Sequence, residues 1–346
     1  MKTSLSVFRD NYQEQLLSLL WRQWNALGVA GAIGRSDKSL VDPEALLLMT
    51  CGLGRRDPRL FDEMLDWLCL NDWTINVQRL ANVARTETWS GAPVLAAVAG
   101  FMTTQKTQAL KWKRLARLPA TFPPAEELFQ FDDGKPLPVL GEPESIFARY
   151  GFQRGPLRLR GYSRVFRPLT PAALLLQLRA LFGLAVRAEV IAYLLTHETG
   201  HAAGIARDTC YHKKSVQETL LQLHGTGIVG VRAEGREKLY RVEVAPWLAL
   251  LRRNAPLPQW INWPPLWSAL DQIWLGLNDP RLTGLEPLMQ ASLLRQLMVA
   301  VRPAIERAGF DKVLSDDRHY LAEAYLPVFL SDITKLLDAL DTNQHE

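Results

Sequence analysis

The chain reads as mainly α: a helical N-terminal domain, a central three-helix unit closed by a small β-hairpin, and a helical C-terminal region. Three observations predict this. Apolar residues recur at helical spacing, as in Leu16, Leu19, Leu20 and Trp24, or Leu60, Phe61, Met64, Leu65 and Leu68. The pairs Asp42-Pro43 and Asp57-Pro58 stand where helices should begin, with proline in a first turn whose N–H needs no partner. Strand-like alternation is short and follows a glycine stop at Gly225-Thr226-Gly227.

Composition bounds the answer. A chain of 346 residues with 48% hydrophobic and 22% charged residues has room for two or three domains with sizeable cores. A formal net charge of +4 only weakly favours an acidic partner, so local clustering must carry that argument. Cys51, Cys69 and Cys210 are odd in number and far apart, which provides no disulfide framework and suggests a reducing, cytoplasmic setting. The best apolar run, 92–102, is broken by Pro93 and Gly100 and is too short to span a bilayer. The first residues are amphipathic and do not read as a signal peptide.

Residues 1–130 are expected to form the N-terminal helical domain. One helix covers 5–27, with a stop at 28–34. The next runs from Asp42-Pro43 to Gly52-Leu53-Gly54, and further helices follow in RLFDEMLDWLCL and TINVQRLANVAR. Helix is expected to continue through 91–118, where Lys106, Lys111, Lys113, Arg114 and Arg117 surround Trp112; a solvated helix face is the plainer reading of that basic group. Residues 119–138 are proline-rich and look like a linker. A Pro/Arg-rich connector is assigned to 131–177. Within it, 149–168 holds Arg149, Arg154, Arg158, Arg160, Arg164 and Arg167 with no acid, and its alternation suggests extended structure. Unbalanced arginines repel one another, which a phosphate-bearing partner would relieve.

The most informative stretch is 178–242. Val186, Val190, Ile191, Leu194 and Leu195 form one helical face, with a break at Thr199-Gly200. A short helix then carries Ile205 and Ala206, and a third has Val216, Leu220 and Leu223 on one side. Steeply crossing helices need a small residue at their contact, a tight turn, and an apolar plug early in the second of the pair; Ala206, Cys210 and Val216 fit those places. Ile228 to Val231 and Lys238 to Val242 read as strands about a tip at Glu234-Gly235-Arg236. This is a helix-turn-helix followed by a wing, assigned to 178–250.

The segments LRALFGLAVRAEVIAYLL, GIARDTCYHKKSVQETLLQLHGTGIV and VRAEGREKLYRV resemble the winged-helix bacterial regulators of the ArsR/MarR type, over residues 178–244 alone. The resemblance implies a domain whose third helix enters the DNA major groove and whose wing touches the backbone. Cys210 departs from it, standing where such turns usually carry glycine, so a left-handed backbone there would be mildly strained.

With the apolar side inward, the third helix turns His212, Lys213, Lys214, Ser215, Gln217 and Glu218 outward, and the wing adds Arg232, Arg236 and Lys238. These side chains suit phosphate contact and base-edge reading. Arg158, Arg160 and Arg164 of the connector are candidate phosphate contacts. The expected function is sequence-specific binding of double-stranded DNA, as a transcriptional repressor. The alternative is a winged helix that docks protein within a larger assembly, because fold alone does not fix function.

His197-Glu198-Thr199-Gly200-His201 matches the H-E-x-x-H zinc pattern, in which two histidines one helical turn apart hold the metal and glutamate activates water. Arg207 stands at the third ligand position of the extended pattern and cannot ligate, and the winged helix requires a break within the motif. A metal-sensing variant would draw on His197, His201, Cys210, His212 and His224, without paired-cysteine spacing. No enzyme, metal or cofactor is therefore expected. Residues 251–346 form the helical C-terminal region, preceded by Trp247, Trp260, Trp263 and Trp267 among prolines, a pattern that suits a seam between domains. The last helices could pair with a second copy, giving a homodimer, or close this chain's own core; the pattern leaves both open.

Overall fold

A computed structural model describes residues 5–30, 38–105, 109–117, 124–167, 170–235, 237–253, 256–316 and 319–342. Helix α1 (Leu5–Ala26) buries Leu16, Leu19, Leu20 and Trp24 as the spacing predicts. The two aspartate–proline starts hold. Asp42 accepts from the N–H groups of Glu44 and Ala45 to open α2 (Pro43–Leu53), and Asp57 accepts from Leu60 to open α3 (Pro58–Asn71). Asn76 caps α4 (Val77–Thr86) in the same way.

The continuous helix expected over 91–118 is interrupted. Helix α5 (Ala92–Thr104) ends where Thr103 and Thr104 turn their hydroxyls back onto the carbonyls of Gly100 and Phe101, and only α6 (Ala109–Trp112) resumes. The chain turns there to bury Trp112, while Lys111 reaches the Asp72 carbonyl oxygen. The linker expected over 119–138 is no free spacer in its described part. Strand β1 (Glu126–Glu127) pairs in parallel with β2 (Phe152–Gln153), which follows the short α7 (Ser145–Ala148), and Leu128 and Phe129 enter the core.

The central unit comprises α8 (Leu174–Phe182), α9 (Val186–Thr196), α10 (Ala202–Asp208), α11 (Lys213–Gly225), β3 (Gly230–Glu234) and β4 (Glu237–Arg241). Strands β3 and β4 pair antiparallel, Val231 opposite Tyr240. The break between α9 and α10 also contributes a bridge: Gly200 and Tyr240 exchange both backbone hydrogen bonds at 2.9 Å, tying the hairpin to the helices. The C-terminal part holds α12 (Val244–Leu250), α13 (Trp263–Leu277), α14 (Pro287–Arg307) and α15 (Tyr325–Thr342).

Two hydrophobic cores result. The smaller belongs to the central unit and gathers Leu178, Val190, Ile191, Leu194, Ile205, Val216, Leu220 and Tyr240 with Trp247 of α12. The larger joins α1 to α5 with α13, α14 and α15: Trp24, Trp67, Trp263, Trp267, Met298, Ile305 and Phe329 lie in one cluster. The apolar faces of α14 and α15 thus close this chain's own core. The tryptophans after the hairpin do form a seam. Trp263 and Trp267 stack in the larger core at 5.3 Å, while Trp260 packs edge-on against Tyr193 and His197 of the smaller one. Among the described residues no helix is long and apolar enough to cross a membrane.

Candidate nucleic-acid interface

The geometry of α10 and α11 follows from a few residues. Ala206 is buried in the same core as Val216, which is fully buried as the plug. The turn between them is left-handed at Cys210, with φ of 58°. Glycine would take that conformation without strain, so cysteine there meets the expectation of a mildly strained turn. Burial pushes the Cys210 thiol up to about 11. At the other end of α11, Gly227 adopts φ of 78° and donates to the His224 carbonyl, which ends the helix where the glycines were expected to end it.

Helix α11 is accordingly two-faced. Val216, Thr219, Leu220 and Leu223 are buried, whereas His212, Lys213, Lys214, Gln217 and Glu218 are exposed. Ser215 is only half-buried, so its outward reach is smaller than the helical spacing suggested. Lys214 and Glu218 face each other at 4.0 Å across one turn. On the hairpin, Arg232 and Lys238 are exposed, and Arg232 lies 3.5 Å from Glu234. Arg236 lies outside the described residues. Two further cations on this side escaped sequence reasoning. Arg241, on β4, is exposed beside Glu243, and Arg187, on the first turn of α9, donates to Gln222 of α11 at 3.0 Å. Arg241 ends the strand that carries Lys238 and was legible as a wing residue; Arg187 was not, because its place beside α11 is a tertiary contact.

The connector arginines divide. Arg158, Arg160 and Arg164 are exposed. Arg154 is buried and cannot contact phosphate as it stands. It pairs with Asp62 through both terminal nitrogens, at 2.7 and 3.0 Å, and lies over the rings of Phe129 and Phe147. The acids missing from 149–168 are supplied by α3. Asp62 takes Arg154, and Asp66 accepts from the N–H groups of Gly161 and Ser163 at 3.0 and 2.9 Å. The segment is therefore pinned across α3 as irregular extended chain. Arginine repulsion is partly relieved within the molecule. Among the described residues, no hydrogen bond or ion pair joins the connector arginines to α11 or the hairpin.

A buried charge cluster mounts α8 to α11 on the helical body. Arg79 of α4 binds Asp42 at 2.8 and 2.5 Å and Glu44 at 2.6 Å, and its Nε donates to the Thr209 carbonyl in the turn before α11. Arg179 of α8 holds both oxygens of Glu44, at 2.7 and 2.8 Å, and Glu189 of α9 at 2.7 Å. Tyr211 donates to Glu189 and accepts from Asn76. Burial raises the Tyr211 phenol, and the nearby Glu189 carboxylate adds to the shift. Burial alone would raise the Asp42 carboxyl too, but the charge and hydrogen bonds of Arg79, with the Ala45 N–H, hold it below the usual range. Asp42 was legible from sequence only as a helix start, and the pairing was not legible at all, since Glu44 and Arg179 are 135 positions apart.

The H-E-x-x-H residues do not lie on one helix. α9 stops at Thr196 and α10 begins at Ala202, so His197 and His201 flank a non-helical break. His197 bonds the Tyr193 carbonyl through Nδ1 at 2.8 Å and stacks on the Tyr193 ring at 3.8 Å; burial lowers its pKa. Among the described residues no group of three His, Cys, Asp or Glu side chains is placed to hold a metal ion. Compared with protein-family models, curated proteins and solved structures, the chain gives no match.

Proposed function

We propose that this chain binds double-stranded DNA sequence-specifically and acts as a transcriptional repressor, with α11 in the major groove and the hairpin against the backbone. The observation that carries the reading is α11 itself: its apolar side is used up within the central core, while His212, Lys213, Lys214, Gln217 and Glu218 face solvent beside Arg232 and Lys238. Lysine and arginine neutralise phosphate, and glutamine can pair with adenine edges. The ArsR/MarR resemblance of 178–244 supports the same placement. The buried cluster at Arg79 and Arg179 favours it further, because a groove-reading helix needs a rigid mount. A homodimer through the C-terminal helices belongs to the proposal. With their inner faces occupied, the contact would use exposed residues such as Leu288, Met289 and Val299, and light scattering measures the mass.

The second reading, a protein-docking module, draws on Leu221, Ile228 and Val231, which are exposed to 48%, 45% and 38% on and beside α11. A gel-shift with the gene's own upstream DNA against shuffled DNA separates the two. Preference for the upstream fragment supports the repressor; equal or no retention of both fragments removes it and leaves the docking module.

A further inference from the structure

A cavity of about 290 Å³ lies beside the turn that precedes α11, walled by all three regions of the fold. Arg85 and Glu87 come from the end of α4, Arg207 and His212 from either side of the turn, Asn262 from the start of α13, and Arg307 from the last turn of α14. Its guanidinium groups are incompletely matched. Arg307 uses one terminal nitrogen for Glu87, at 2.9 and 3.0 Å. Arg207 lies along Asp208 through Nε and Nη2, and Arg85 makes a single hydrogen bond, to the neutral amide of Asn82. Among the described residues, three guanidinium groups thus meet two carboxylates here, and each keeps N–H groups directed at no protein acceptor.

Asn262 adds a second signal. It is 6% exposed, its Nδ2 points at Asp208 at 3.4 Å, and its Oδ1 has no hydrogen-bond donor. The carboxylate of Asp208 sets that orientation, because the flipped amide would oppose two oxygens. Oδ1 is thus a buried acceptor without a donor on a residue that lines the cavity.

We propose that this cavity binds a small oxyanion carrying a hydroxyl group, with the anion on Arg85, Arg207 and Arg307 and the hydroxyl donating to Asn262. Planar guanidinium groups match the spacing of phosphate and carboxylate oxygens. The volume sits near the low end of ligand pockets, roughly 300–1,000 Å³, so the ligand is a small metabolite. A bound anion would tie α10 and the turn to α4 and α14, and so change how α11 is held. Its effect on DNA rests on the repressor reading; binding of the anion does not.

The test is calorimetric titration of the full chain, at constant ionic strength, with inorganic phosphate, glycerol 3-phosphate, glycerate, and glycerol as the uncharged control. Glycerol 3-phosphate or glycerate, whichever anion chemistry fits, should bind at one per chain and more tightly than inorganic phosphate, and glycerol should not bind. Arg85→Gln with Arg207→Gln, both exposed positions, should weaken binding about tenfold or more with an unchanged melting curve. Asn262→Ala should abolish the preference over inorganic phosphate. Absence of saturable binding by any oxyanion, or unaltered affinity in the double arginine variant, overturns the site. Anion binding without any DNA retention would sink the repressor reading alone.

Discussion

Replacing Arg179 by methionine tests whether buried charge mounts α8 to α11 on the helical body. The side chain is fully buried, and its guanidinium makes two bonds to Glu44, two to Glu189 and one to the Thr74 carbonyl, all between 2.7 and 3.1 Å. The cluster sets Asp42, Glu44 and Glu189 against Arg79 and Arg179. Without Arg179, three buried carboxylates face one cation. Methionine fills most of the volume, so the loss is chiefly electrostatic. Breaking a buried pair by removing one partner costs about 3–5 kcal/mol. Glu44 still has Arg79 at 2.6 Å, which places Arg179→Met toward the lower end. Adding Glu189→Leu restores the original imbalance of one carboxylate, so the double variant should be more stable than Arg179→Met alone. Urea unfolding at neutral pH, followed by tryptophan fluorescence and circular dichroism, measures both. A loss below about 1 kcal/mol in the single variant, or simple addition of the two single losses, would refute the reasoning.

Four further outcomes follow from the same geometry. Gln217→Ala should lower discrimination between cognate and random duplex by about 1–3 kcal/mol, and Ser215→Ala by less because Ser215 is half-buried; competition gel-shifts measure this, and full specificity in Gln217→Ala contradicts the groove placement. Arg158→Ala with Arg160→Ala should weaken cognate and random DNA alike and flatten the slope of log affinity against log salt by about 1–2; an unchanged slope would remove the connector from the footprint. Asp42→Asn keeps an N-cap but loses the charge on Arg79. The folded Asp42 carboxyl lies below its ordinary 3.8, so its stabilisation is complete above that pH and fades as pH falls through the folded value. The stability gap between wild type and Asp42→Asn should therefore close only in acid below 3.8, and a gap that closes at neutral pH would contradict the assignment. Burial raises the thiols of Cys210, to about 11, and Cys69, to about 12, so iodoacetamide should label them slowly at neutral pH until urea opens the fold; rapid native labelling would count against their burial.

Much of the local architecture is legible in the sequence. Asp42-Pro43 and Asp57-Pro58 start helices because cap and first-turn chemistry act between adjacent residues. Gly227 ends α11, Val216 plugs the crossing and Cys210 takes a positive φ, since each of these demands is met by one residue in its own turn. The outward set on α11 follows from helical period alone, except at Ser215. What only the tertiary structure decided is where charges and surplus apolar faces find their partners. Arg154 pairs with Asp62, 92 residues away, and Arg179 with Glu44, 135 away. The same helical period in α14 and α15 is compatible with a second copy or with this chain, and their residues lie in the core of this chain. Periodicity and capping are local and can be read in order along the chain. The partner of a buried arginine depends on how helices far apart in sequence pack, and no pattern around Arg154 or Arg179 specifies it.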